Sequence, residues 1–307
     1  MSRARRAFLA ALVGSGSLLA GCANNGGAQN GALDVRPDAS LPSYEEVASR
    51  YNERASLLGR IWARAVVEMR FVDANGRRKR EQGEGHLQFI APARFALSVG
   101  KLGEVIVYLG CDEQRFWWFE RGDADRVSVC RHANAGSPCA ESVGLPAQPL
   151  EIIDLMGVLE FPVRGGRVQR SMRGEIVIDL PARGAGAAAG GFTRVALDPS
   201  TYEPVLIGVY QRGGAQPVLL ARLEEYQNVQ IAGRGGIAPR MASRIVITHA
   251  ESDTEIRLSL AGMTDGVREG RIPPEAFDLQ ALLRAFSPAD VRVLDAACPS
   301  PALSSGR

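Results

Sequence analysis

Gly85-His86-Leu87-Gln88-Phe89-Ile90-Ala91-Pro92-Ala93-Arg94-Phe95 is the stretch that decides the fold class. Together with Gly83, its Gly85, Leu87 and Phe89 fall on one side of a two-residue period, the spacing of a strand with one buried face. Pro92 has no N–H to give to a ladder and interrupts the run. Phe95, Leu97 and Val99 then resume the alternation. Upstream, Ala65, Val67, Met69 and Phe71 alternate with Arg64, Val66, Glu68 and Arg70, and Asp73-Ala74-Asn75-Gly76 supplies the Asn-Gly signal of a hairpin turn. Downstream, 105–109 and 115–120 read as a hairpin around Gly110-Cys111-Asp112-Glu113, and 127–131 as a further short strand.

The flanks follow the same logic. Ser43-Tyr44-Glu45-Glu46 is a capping box, and Tyr44, Val47, Tyr51, Leu58 and Ile61 recur at helical spacing behind it. A second helix fits 150–159 after Pro149, and a short third one fits 277–285. Strands fit 173–180, 192–197, 205–211, 218–226, 240–248 and 255–260. About ten strands and two or three helices, without a βαβ rhythm, make one antiparallel α+β domain.

The 307 residues are 46% hydrophobic and 23% charged, a globular composition that excludes wholesale disorder. A net charge of +2 gives no concentrated basic face for nucleic acid. Lys79 and Lys101 are the only lysines, a bias that a G+C-rich coding sequence explains better than an arginine-dependent site does.

Arg3, Arg5 and Arg6 precede an apolar run from Ala7 to Ala20, too short to span a bilayer. The run ends Leu19-Ala20-Gly21-Cys22, which resembles a bacterial lipobox; an ordinary signal peptide with a chance cysteine is the alternative. Processing would remove residues 1–21 with three arginines and no acid, turning the charge from +2 to −1. Acylated Cys22 would hold the chain on a membrane, each buried methylene contributing ~0.8 kcal/mol. Ala23 after it, in place of aspartate, favours the outer membrane, facing the periplasm. Residues 22–42 then read as a flexible tether, 43–298 as the domain and 299–307 as a frayed tail.

The Gly-x-Leu-x-Phe-x-x-Pro-x-x-Phe stretch, Val105-Ile106-Val107-Tyr108 and the aromatic Phe116-Trp117-Trp118-Phe119 together resemble the LolA/LolB family of lipoprotein carriers and receptors. The resemblance covers roughly residues 44–280, and its motifs are short. It implies a strongly curved, half-open β-barrel covered by a few helices, with the helix containing Leu150, Ile152, Ile153, Leu155 and Met156 as a lid. The implied function is non-catalytic: acyl chains of lipids or lipoproteins bind in an apolar cavity and are handed on to, or accepted from, a carrier or assembly protein. Val67, Met69, Phe71, Leu87, Phe89, Phe95, Leu97 and Trp117 are the lining candidates, with Gly85 leaving room beside Leu87 and Phe89. The same residues also suit a filled core, which would make the chain a structural or assembly lipoprotein. Leu102, in the glycine-flanked turn Gly100-Lys101-Leu102-Gly103, is the candidate for a membrane-contact loop.

Other patterns fall away on context. Cys130 and Cys139 bracket a short loop and are the disulfide candidates in an oxidising envelope; free thiols, or zinc held with Cys111 and His132, are the alternatives. Ser98-Val99-Gly100-Lys101 lacks the helix that penicillin-binding chemistry needs, and Gly184-Ala185-Gly186 lacks a following helix for phosphate. His86, His132 and His249 have no orienting carboxylate in sequence and there is no Gly-x-Ser-x-Gly elbow. No catalytic residue, metal or cofactor is assigned.

Overall fold

The computed structural model describes residues 33–36, 40–73, 75–121, 125–141, 145–183, 190–233, 235–236 and 238–295. The leader, Cys22, Cys298 and the tail lie outside the described residues, as do Gly184-Ala185-Gly186.

Alternation makes the strands and the turns set their order. A two-residue strand β1 (Val35–Arg36) and helix α1 (Tyr44–Ala55) precede a meander of β2 (Arg60–Val72), β3 (Arg78–Ile90), β4 (Arg94–Lys101), β5 (Glu104–Cys111), β6 (Arg115–Glu120) and β7 (Arg126–Arg131). Helix α2 (Pro149–Leu155) leads to a second meander: β8 (Arg167–Ser171), β9 (Ile176–Pro181), β10 (Phe192–Leu197), β11 (Pro204–Tyr210), β12 (Leu219–Asn228), β13 (Arg240–His249) and β14 (Thr254–Thr264). Helix α3 (Leu279–Phe286) and β15 (Asp290–Val293) close the described chain. All fifteen strands form one sheet in the order β1-β8-β9-β10-β11-β12-β13-β14-β2-β3-β4-β5-β6-β7-β15. Neighbours are antiparallel except β15, which runs parallel to β7. The last strand of the second meander thus returns beside the first strand of the first, and the sheet is open, with β1 and β15 at its edges.

Register fixes which residues share a face. β2 pairs with β3 through Ile61↔Phe89, Ala63↔Leu87 and Ala65↔Gly85, and β3 with β4 through Phe89↔Phe95 and Leu87↔Leu97. These side chains belong to the main core, which continues through Leu109, Phe116 and Trp118 to Ile178, Ile207, Ile245 and Leu258 of the second meander. The opposite face is covered in two places. The C-terminal segment lays Phe277, Leu279 and Leu282 over Trp62, Trp117, Phe119, Val127 and Val129, and the Tyr108 hydroxyl donates to the Ala276 carbonyl at 2.7 Å. At the other side Leu33 packs on Val177, Leu206 and Leu220.

Several expectations need correction. The first helix stops with a 3-10 turn at Ser56–Leu58, because Gly59 breaks it and Ile61 is already the first inward residue of β2. Part of the expected tether is ordered: Leu33 is 3% exposed, and Val35 and Arg36 pair with Ser171 and Arg170. Among the described residues, fifteen strands replace about ten. Gly85 does not leave room. A Cβ there would lie 1.9 Å from the Ser98 carbonyl oxygen, so the space is taken by the backbone of β4.

Candidate ligand-binding face

Leu87, Phe89 and Phe95 are fully buried on the inner face, Leu97 is nearly so, and Val67 packs on them half-buried. Met69 and Phe71 continue the β2 alternation toward the hairpin end, outside that cluster. Trp117 stands on the other face. Its neighbour Trp118 points inward, and Trp117 is 0% exposed beneath the C-terminal segment, so it does not line the inner face. Residue alternation required one of the two to point away, and sequence alone could not assign which.

The inner face is capped by α1 and α2. Ser43 caps α1 by accepting the Glu46 N–H at 3.2 Å, and the helix is then bolted to the segment after α2. The Tyr51 hydroxyl donates to the Gly157 carbonyl at 2.9 Å. Asn52 and Phe161 exchange two hydrogen bonds at 2.9 and 2.8 Å, and the Tyr51 and Phe161 rings stack 3.8 Å apart. Gln148 and Glu151 form a capping box on α2, whose Leu150, Ile152, Ile153 and Leu155 are buried against the sheet. α2 touches β4, β5 and β11.

One charged contact, with no signal in the sequence, fixes α2 in place. Arg183, following β9, lies 3.4 Å from the Asp154 carboxylate on α2 and donates to the Pro92 carbonyl at 2.9 Å. It therefore joins α2 to the β3–β4 turn. Burial pushes the Asp154 carboxyl up to about 7; Glu151 also raises it and Arg183 opposes the shift. A raised carboxyl pKa means the folded chain binds the proton more tightly than the unfolded one. Stability from this group is full below the ordinary 3.8 and is lost as pH rises toward about 7. Asp154→Asn is expected to remove that slope: between pH 5 and pH 8 the urea midpoint of the parent should fall more than that of the variant, and parallel profiles would contradict the assignment.

Leu102 is 105% exposed, at the tip of the β4–β5 hairpin. Lys101 pairs with Glu104, so Leu102 (φ 54°) and Gly103 (φ 84°) form a two-residue turn with both central residues left-handed. Asn or Gly suits the first of these positions, and leucine there costs about 1 kcal/mol. Leu102→Asn is therefore expected to raise stability by about 1 kcal/mol, read as a higher urea midpoint. A lower midpoint would show that the leucine serves the fold.

Cys130 is a free, buried thiol, so the Cys130–Cys139 pairing is not formed. Cys139 is disulfide-bonded. Cys130 Sγ lies 3.8 Å from Asp295, and burial with that carboxylate raises the thiol to about 11. Cys111 donates to the Ala93 carbonyl at 2.9 Å, and the His132 ring sits 2.9 Å from the Asp112 carbonyl. Among the described residues no helix is long and apolar enough to cross a membrane.

No family model matches the chain, and no curated protein does. Among solved structures it is similar to a LolA superfamily protein from Nitrosomonas europaea, at 12% identity and a TM-score of 0.48, covering 73% of this chain and 93% of that one. It is also similar to a putative outer membrane lipoprotein-sorting protein domain from Vibrio parahaemolyticus (13%, TM-score 0.42, 71% and 90% covered). A DUF1329 family protein from Desulfovibrio piger is similar too (10%, TM-score 0.46, 78% and 97% covered).

Proposed function

We propose that this chain is an envelope protein, lipid-anchored through Cys22 at the outer membrane, that holds acyl chains of lipids or lipoproteins against its inner face and hands them on without catalysis. The observation that carries the reading is a continuous apolar face capped by a short, latched helix. The reach of α2 supports a strongly curved, half-open barrel. It touches β5 and β11, seven places apart in the sheet order. That is about 34 Å in a flat sheet, against ~10 Å for the helix.

Magnitudes make exchange feasible. Lifting Leu150, Ile152, Ile153 and Leu155 off the sheet re-exposes four aliphatic side chains at about 1.5–3 kcal/mol each. An acyl chain recovers ~0.8 kcal/mol per methylene buried, so a chain of ordinary length offsets the lid displacement. Leu102 supplies an apolar contact with the bilayer.

Full burial of Leu87, Phe89 and Phe95 favours the second reading, an assembly lipoprotein with a filled interior whose sheet serves protein contacts. Uptake of a fluorescent fatty acid by the Cys22→Ser chain separates the two: saturable uptake supports the carrier, and none supports the scaffold. The same variant should lose labelled-palmitate incorporation; persistent labelling would contradict the anchor.

A further inference from the structure

The sheet edge where the N-terminal segment enters is basic. β1 lies outermost and pairs with β8 through Val35↔Ser171 and Arg36↔Arg170, which sets two arginines side by side. The chain around β8 reads Val163-Arg164-Gly165-Gly166-Arg167-Val168-Gln169-Arg170-Ser171-Met172-Arg173, with four arginines and no acid in a protein of balanced charge. Arg36, Arg164 and Arg167 are exposed and have no side-chain partner among the described residues. Asp34, Glu160 and Glu175 are the nearest carboxylates in sequence, Glu175 bonds Ser171, and Asp179, opposite Arg167 across the β8–β9 ladder, is paired with Arg194 at 2.7 Å. Val163, four residues before β8, and Met172, directly after it, are 77% and 63% exposed.

Position supplies the occupant. Ten residues separate Cys22 from Leu33, eleven steps along the chain that span at most ~40 Å. An acyl group on Cys22 keeps this edge near a bilayer. Arginines attract anionic headgroups, and apolar side chains among them enter the interface.

We propose that the β1–β8 edge docks on the anionic phospholipid surface of the membrane, through Arg36, Arg164 and Arg167 with Val163 and Met172. The orientation rests on the reading of Cys22 as the anchor, whereas the docking itself needs no anchor. The test therefore uses the unlipidated Cys22→Ser chain, sedimented with vesicles of phosphatidylethanolamine and phosphatidylglycerol or of phosphatidylcholine alone. Binding should require phosphatidylglycerol and fall steeply between 0.1 and 0.5 M NaCl, as screening shortens. Changing Arg36, Arg164 and Arg167 to Gln should weaken it about a hundredfold, roughly fivefold per charge, with melting and fatty-acid uptake unchanged. Equal binding to both vesicle types, no binding to either, or a triple variant that binds like its parent would overturn the proposal; a failure of fatty-acid uptake alone would overturn only the carrier reading.

Discussion

Arg183→Ala is expected to destabilise the chain by about 3 kcal/mol at pH 8 and by only about 1 kcal/mol at pH 5. The asymmetry follows from the contact. At pH 8 the variant must either bury an ionised Asp154 carboxylate without its 3.4 Å partner or protonate it against the solvent. At pH 5 that carboxyl, pushed up to about 7, is already protonated, and only the bond to the Pro92 carbonyl is lost. Urea unfolding at the two pH values reads the difference. The same variant should take up a fluorescent fatty acid faster than its parent, because α2 is held at one fewer point. A uniform loss at both pH values would place Arg183 in generic packing and remove it from the latch.

Gly85→Ala is expected to cost about 3 kcal/mol, at the upper end for overpacking. The obstacle is backbone: the new Cβ would meet the Ser98 carbonyl at 1.9 Å, and that carbonyl belongs to a strand held on both sides. Gly103→Ala makes a contrast, since nothing lies within 4 Å and only its positive φ resists. A Gly85→Ala chain melting within a degree of the parent would show that β3 and β4 do not approach as closely as described.

Strands bounded by turns and rich in aromatic or β-branched residues were legible in the sequence. β6 and β10 run over the residues that alternation predicts, 115–120 and 192–197. β8 and β15 were not legible. Arg167-Val168-Gln169-Arg170-Ser171 has one apolar side chain and is a strand because it pairs with β9. β15 exists through parallel pairing with β7, a contact across more than 150 residues that no local pattern reports.

The candidate site divides the same way. Leu87, Phe89, Phe95 and Leu97 follow from parity and share the inner face. Trp117 was misplaced because both faces of β6 are buried, so hydrophobicity does not reveal which face is which. The Asp154–Arg183 contact joins residues 29 apart, and its force comes from burial, which a sequence does not display. Gly85 is the subtler failure: a small residue among large ones marks either a void or a close approach, and here it marks the approach.

The central claim is that acyl chains occupy the inner face. Mass spectrometry of organic extracts from the purified, unlipidated Cys22→Ser chain tests it most directly. Acyl lipid approaching one molecule per chain, displaced by added fatty acid and diminished by bulky polar substitution at Leu97, is the predicted result. A lipid-free protein that stays lipid-free after incubation with membranes would contradict the account and leave a filled core in place of a binding face.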